Sequence, residues 1–114
     1  MGNLSQATLY IDTSLSRMTR VSLKLGTKEY HKEFSSDRFK SQMVLPLLAE
    51  VLSEAKLTPP DIAAIEVHPG PGSFTGLRVG YTVAQILGTF LNVPVNSQPA
   101  DKLTPPTYGQ SQFE

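Results

Sequence analysis

The chain of 114 residues has no cysteine and no tryptophan, and its charges cancel. Without cysteine it can form no disulfide, no thiol nucleophile and no metal site built on thiolates. Ten Lys and Arg balance ten Asp and Glu, so net charge gives no sign of a surface for nucleic acid or anionic membranes. No apolar run approaches the roughly 20 residues that span a bilayer, and the N-terminus lacks the basic start and apolar core of a signal peptide. We therefore expect a cytoplasmic protein without membrane contact.

The residues that are present suffice for one globular domain. Apolar side chains make up 39% of the chain, and the length lies within the range of about 100–150 residues that is commonest for domains. Apolar residues thin out after position 97, where proline and glutamine become frequent. We expect a folded unit over residues 1–97 and a loosely ordered tail over 98–114.

Hydrophobic periodicity predicts an α/β fold with the element order β-β-β-α-β-α-β. Apolar spacing predicts helices over 38–56, with Pro46 kinking the first or delaying its start, and over 75–92. Gly26-Thr27 fits a type II′ turn between the second and third strands. The predicted strands are 7–13, 19–25, 29–34, 62–67 and 93–95. We expect a mixed five-stranded sheet with helices packed on it, its last two strands parallel through a right-handed crossover.

The second predicted helix has too little polar surface for a helix with only one buried side. A row of small residues, which lets another backbone approach closely, runs along it: Gly76, Gly80, Ala84 and Gly88. Either the two helices pack on each other within the domain, or together they present an apolar surface to a partner subunit. For the second interpretation, the candidate interface residues are Leu45, Ala49, Val79, Gly80, Val83, Ile86 and Phe90.

A glycine-rich loop joins the fourth predicted strand to the second helix. Its residues are Gly70, Pro71, Gly72, Ser73, Phe74, Thr75 and Gly76. Such a loop can bind phosphate through exposed N–H groups, but Gly76 comes one residue too late for G-x-G-x-x-G and no Lys-Ser/Thr pair follows. The alternative is a tight strand–helix turn with Ser73 or Thr75 as the N-cap. We expect the loop to shape the backbone rather than to perform chemistry.

Patterns for catalysis or metal binding are sparse. His31 and His68 are the only histidines, and they lack the spacing of a helical metal site. Asp12 ends the first strand, where RNase H-like nucleases carry a carboxylate that helps to bind two metals. Its candidate companions are Glu50, Glu54 and Glu66. A two-metal nuclease therefore stays open as an alternative, but we predict no catalytic residue, no metal and no cofactor.

The glycine loop resembles the signature of a known family. The run over residues 70–80, GPGSFTGLRVG, is similar to that of the TsaB (YeaZ) family of tRNA threonylcarbamoyladenosine synthesis. The supporting matches are Ile11-Asp12-Thr13-Ser14, Leu45-Pro46-Leu47-Leu48 and Asp61-Ile62-Ala63-Ala64-Ile65. The resemblance extends from about Thr8 to Leu103. It implies an actin/Hsp70-like (ASKHA) fold, of which the chain holds a single RNase H-like lobe, the second lobe being absent.

The resemblance also implies a function and a partner. The family pairs, through its first two helices, with a TsaD-type subunit that transfers a threonylcarbamoyl group to N6 of adenosine 37 in tRNAs reading ANN codons. A TsaE-type ATPase is the third component, and tRNA is met only through the complex. The His-x-x-x-His metal site of TsaD is replaced here by residues 96–101, Asn-Ser-Gln-Pro-Ala-Asp, which favours the non-catalytic subunit and no metal.

The resemblance suggests two further expectations. Asp12, Thr13 and Ser14 match a phosphate-contacting turn of the wider superfamily. Since nucleotide binds between two lobes there, we expect no independent nucleotide binding, although a stand-alone nucleotide-binding lobe remains an alternative. The surface that a second lobe would cover leads us to expect self-association, for example as a homodimer.

Overall fold

The computed structural model describes residues 6–14, 18–35, 40–72 and 74–103, which form a mixed sheet with two helices. The elements in chain order are β1 (Ala7–Asp12), β2 (Met18–Leu25), β3 (Lys28–Ser35), α1 (Lys40–Ala55), β4 (Ile62–Val67) and α2 (Phe74–Leu91). Short 3-10 turns lie at Pro59–Asp61 and Ala100–Lys102. Of the two effects predicted for Pro46, a kink or a later helix start, the later start is wrong, because α1 runs through this residue. Within these described ranges, no helix is both long and apolar enough to cross a bilayer.

The sheet has the strand order β3-β2-β1-β4, with β1 and β4 parallel and the other pairs antiparallel. Gly26 adopts the positive φ of 62° that the predicted β2–β3 turn requires at this position. Register brings the apolar side chains of three strands onto one face: Leu9, Ile11, Val21, Leu23, Ile65 and Val67. Both helices pack on that face, α1 over β2 and β3 and α2 over β4 and β1.

The fifth strand predicted at 93–95 does not form. Val95 makes one parallel bridge with Ile65 and then pairs back onto Gln98. Asn96 and Ser97 between them have φ values of 50° and 65°, and two successive residues in the left-handed region make a tight reversal rather than an extended strand. The sheet of the described residues therefore has four strands, not five.

The folded unit continues past the predicted boundary at residue 97. Ala100 is buried, and its carbonyl oxygen accepts a hydrogen bond from Gln85 Nε2 at 3.1 Å. Leu103 packs against the core. The segment that follows the turn thus covers the end of α2, whereas the rest of the predicted tail, 104–114, lies outside the described residues.

Candidate functional site

The glycine loop packs directly against the turn that follows β1. Because β1 and β4 are parallel, the chain leaves both strands at the same edge of the sheet. A Cβ atom on Gly72 would lie 2.8 Å from both Cβ and the carbonyl oxygen of Ser14, so a side chain at position 72 would force the two segments apart. Close approach to the turn thus explains this glycine. Ser73 and the side chains of Phe74 and Thr75 lie outside the described part of the chain.

The polar groups of the turn bond within the chain itself. The Asp12 carboxylate oxygen Oδ1 accepts hydrogen bonds from both the backbone N–H and the hydroxyl of Ser14. Thr13 Oγ1 donates to the carbonyl oxygen of Gly76, in the first turn of α2. Thr13 and Ser14 are only 1% and 7% exposed. A phosphate could reach these hydroxyls only by displacing the chain's own contacts.

The small residues of α2 face inward, which contradicts the placement of Gly80 at a partner interface. A Cβ atom on Gly80 would collide with Thr13 Oγ1 and lie 3.2 Å from Val67 Cγ2. Gly88 likewise faces the segment 93–100. Because these glycines have no side chain, the backbone of α2 packs closely on the chain's own sheet and on that segment. The space beside them is therefore filled by the chain itself and not left for a partner.

The other predicted interface residues lie on two helices that contact each other. Leu45, Ile86 and Phe90 are 55%, 62% and 83% exposed. Ala49, which follows Leu45 by four residues on α1, is exposed as well. The half-buried members are Val79 and Val83. We call Leu45, Ala49, Ile86 and Phe90 the helical apolar surface. Exposed apolar side chains mark a surface that a partner covers when they adjoin in one patch, which the contact between α1 and α2 allows.

The four carboxylates of the nuclease alternative are not brought together. Asp12 and Glu66 lie on the sheet face opposite the helices. Glu50 and Glu54 are exposed on α1, on the other side of the sheet. There Glu54 Oε2 forms an ion pair with Lys32 Nζ at 2.7 Å. No cluster of three or more His, Asp or Glu that could hold a metal occurs in the described ranges. The grouping that a two-metal site needs is therefore contradicted.

Sequence reasoning missed the face of the sheet that the described residues leave uncovered. This face holds a cavity of about 520 Å³, and its lining includes Tyr10, Arg20, Lys24, Glu66 and His68. The lining residues come from four strands and the loop after β4, so no local pattern gathers them. Alternation along each strand was the available signal, because it predicts polar side chains on the face away from the core.

Comparison with known proteins points to tRNA modification. The family model described as "TsaD: tRNA N6-adenosine threonylcarbamoyltransferase" matches residues 28–97. The tRNA threonylcarbamoyladenosine biosynthesis protein TsaB of Haemophilus influenzae is 34% identical over 106 residues, covering 93% of this chain and 43% of that protein. The TsaB of Escherichia coli is 33% identical over 87 residues, covering 76% of this chain and 37% of that protein.

A solved structure agrees with these relatives. YeaZ from Pseudomonas aeruginosa superimposes with a TM-score of 0.74 at 31% identity, over 79% of this chain and 42% of that one. The chain therefore spans less than half the length of the relatives that it matches.

Proposed function

Because the chain belongs to the TsaB/YeaZ family, we propose that it is a non-catalytic partner subunit of a TsaD-type threonylcarbamoyltransferase. The TsaD-type subunit transfers the threonylcarbamoyl group to N6 of adenosine 37 in tRNAs that read ANN codons. This chain supplies a docking surface, a TsaE-type ATPase completes the set, and tRNA is bound through the complex. The cytoplasm is the compartment that this role implies.

The helical apolar surface is the observation that carries the proposal. Phe90 and Ile86 are among the most exposed large apolar side chains of the described residues, and both project from α2. Covering an apolar side chain of this size is worth about 1.5–3 kcal/mol, so a partner that buries both gains a substantial part of its binding free energy there. The inward orientation of Gly80 confines this surface to the outer side of the two helices.

The turn after β1 supports a non-catalytic role. The hydroxyls of Thr13 and Ser14 are committed to the chain's own hydrogen bonds, and the carboxylates Glu54 and Glu66 lie on opposite sides of the sheet. The hydrogen bond of Thr13 ties the start of α2 to the turn, and that of Ser14 holds the turn itself. The reacting groups of the transferase then come from the TsaD-type subunit.

Size-exclusion chromatography with light scattering tests the proposal. The chain is run alone and mixed with the TsaD-type protein of the same organism, and we expect a stoichiometric mixed complex. The double variant Ile86→Ser/Phe90→Ser should lose the complex while keeping its helical circular dichroism. The matched control is Thr89→Ser, an exposed position between them, which should pair normally. A double variant that still pairs, or a wild type that only self-associates, contradicts the proposal.

The two alternatives are separated by assays on the chain alone. A nuclease would cut RNA with Mg²⁺ or Mn²⁺ and lose activity on Asp12→Asn. A nucleotide-binding lobe would gain thermal stability with ATP, by mass action. We expect neither, because the partner subunit carries the chemistry.

A further inference from the structure

β3 lies at the edge of the sheet, and its outer side has no strand partner among the described residues. The strand order β3-β2-β1-β4 pairs it with β2 alone, along all of Lys28–Ser35. The two-residue turn Gly26-Thr27 makes Leu25 and Lys28 the closing hydrogen-bonded pair. Backbone groups alternate in direction along a strand, so those of residues 29, 31, 33 and 35 point away from the sheet. A row of unpaired backbone groups on a long edge is a template for another strand.

The side chains of β3 do little to protect this edge. A charged side chain that faces inward normally opposes pairing, and Lys32 is half-buried on the side of the helices. Its Nζ, however, lies 2.7 Å from Glu54 Oε2, so α1 of the same chain compensates the charge. Phe34, two residues later and on the same side, is 36% exposed. The edge therefore combines open backbone groups with an aromatic ring that a second strand would cover.

We propose that β3 pairs with β3 of a second copy of this chain, antiparallel about a two-fold axis at Lys32. The outward N–H and C=O groups of each copy then bond to those of the other. On the open sheet face, this register sets the His31 imidazole opposite the second copy's Glu33 carboxylate. On the helical face it sets the Tyr30 ring opposite the second copy's Phe34. By symmetry each pair occurs twice, and both kinds of cross-strand pair are favourable.

Neighbouring registers bring like charges together. An axis one residue earlier places Glu29 opposite Glu33 in both halves of the interface, and an axis two residues earlier does the same with Lys28 and Lys32. Like charges directly opposite each other are destabilising. An axis one residue later shortens the paired segment. The proposed register has a single like pair, Lys32 with its own copy, and each of these lysines keeps its Glu54.

The helix layer leaves room for this arrangement. α1 packs over β2 and β3, and neighbouring strands lie about 4.8 Å apart. A helix above the midline of these two strands is then about 10 Å from its copy across the axis, close to the usual helix-packing distance of about 8–10 Å. α2 packs over β4 and β1, at the other end of the sheet. Ile86 and Phe90 therefore remain uncovered, and the pairing of β3 does not depend on the proposed function.

Amide exchange at several protein concentrations, with light scattering for the mass, tests the pairing on the full chain. The amides of His31 and Glu33 point outward and should gain protection as the dimer forms, while those of Tyr30 and Lys32, already bonded to β2, should change much less. An edge contact is a small interface. For a Kd of about 50 µM, exchange at His31 should slow about fivefold between about 10 µM and about 1 mM protein, by mass action. A constant monomer mass, or equal changes at odd and even positions, overturns the proposal.

Engineered cysteines test the register, because the chain has no cysteine of its own. His31→Cys and Glu33→Cys are mixed in a glutathione redox buffer. Opposite residues of a hydrogen-bonded pair have Cα atoms about 5.5 Å apart, within disulfide range, whereas residue 31 and its own copy lie diagonally at about 7–8 Å. We expect the mixed disulfide to be the main product. The matched control mixes Glu29→Cys with Glu33→Cys, which are opposite only when the axis is one residue earlier. Cross-linking in the control but not in the first mixture overturns the proposed register.

Failure of this pairing and failure of the proposed function are separable. A chain that stays monomeric alone but forms the mixed complex with the TsaD-type protein overturns the β3 pairing and leaves the docking role standing. A β3-linked dimer that does not bind the TsaD-type protein has the opposite meaning. If both hold, the Ile86→Ser/Phe90→Ser variant should lose the mixed complex and keep the concentration-dependent protection of the His31 amide.

Discussion

Asn96 bonds to Val67 through its side chain in the way that a fifth strand would bond through its backbone. Its Oδ1 accepts the Val67 N–H at 2.8 Å, and its Nδ2 donates to the Val67 carbonyl oxygen at 3.1 Å. The backbone of Asn96 still pairs with β4 two residues before Val67, because the Asn96 N–H donates to Ile65 O at 2.8 Å. The side chain thus satisfies two backbone groups at the edge of β4 just where the chain turns away.

Removing the Asn96 amide should destabilise the fold. Asn96→Gly keeps the positive φ but leaves both groups of Val67, a buried residue, without this partner, at a cost of about 1–3 kcal/mol. Asn96→Ala should cost about 1 kcal/mol more, because a Cβ atom disfavours the left-handed region. Urea unfolding measures both. A glycine variant as stable as the wild type would show that the amide pair is unimportant.

Replacing the next residue should have the opposite effect. Ser97 has a φ of 65°, and Asn-Gly is the preferred pair at the centre of a type I′ turn. We expect Ser97→Gly to raise the free energy of unfolding by up to about 1 kcal/mol. As a control, Ser53→Gly on the exposed side of α1 should lower it by about 0.5 kcal/mol. A destabilised Ser97→Gly would mean that the serine makes contacts that outweigh its backbone strain.

Gly80 should be intolerant of any side chain. Alanine favours a helix over glycine by about 1 kcal/mol, yet the added methyl group would press on Thr13 and Val67. We therefore expect Gly80→Ala to lower the free energy of unfolding by about 1–3 kcal/mol, as measured by thermal or urea unfolding. Thr82→Ala, on the exposed side of the same helix, should change it by no more than about 0.5 kcal/mol.

The lack of space at Gly80 also decides what a larger substitution at this position can test. If Gly80 lay at a partner interface, as its place in the row of small residues suggested, Gly80→Arg would block pairing and leave the fold largely intact. In the structure an arginine at this position has no room, so loss of the fold is the expected result. Variants of Phe90 and Ile86 are the appropriate probes of pairing.

The ion pair between Lys32 and Glu54 should make stability depend on alkaline pH. The hydrogen bond and the charge of Glu54 raise the pKa of Lys32 above its ordinary value of 10.5. A raised lysine pKa contributes stability that is fully present below pH 10.5 and is lost as the pH rises through the higher folded-state value. The contribution is small because Lys32 is half-buried, Glu54 is exposed and salt screens the pair.

Comparing melting temperatures of the wild type and Glu54→Gln measures this contribution. The difference should be constant from about pH 7 to 10, shrink above that range, and decrease in high salt. A difference that grows with alkaline pH would contradict the assignment of the pair.

The sequence by itself determined β1 to β4, α1 and α2, and the inward face of β1, β2 and α1. Alternation in β1 and β2, helical spacing in α1 and α2, and glycine at position 26 are local signals, because a strand repeats every two residues and a helix every 3.6. The run GPGSFTGLRVG likewise identified the family. Asn96-Ser97 carries a turn signal too, since asparagine tolerates positive φ, whereas the short apolar stretch 93–95 favours a strand by the same local rules.

Only the tertiary structure decided which side of α2 is turned inward and which strand ends meet. A row of small residues permits close approach by any backbone, and the sequence does not say whether that backbone is the chain's own. Here Thr13 and Val67 occupy the space that Gly80 leaves, so the larger side chains Ile86 and Phe90 remain outside. The parallel pairing of β1 with β4 is equally non-local, and it brings His68 beside Asp12 from 56 positions away in the chain. Such placements depend on how the whole core packs, which no local pattern encodes.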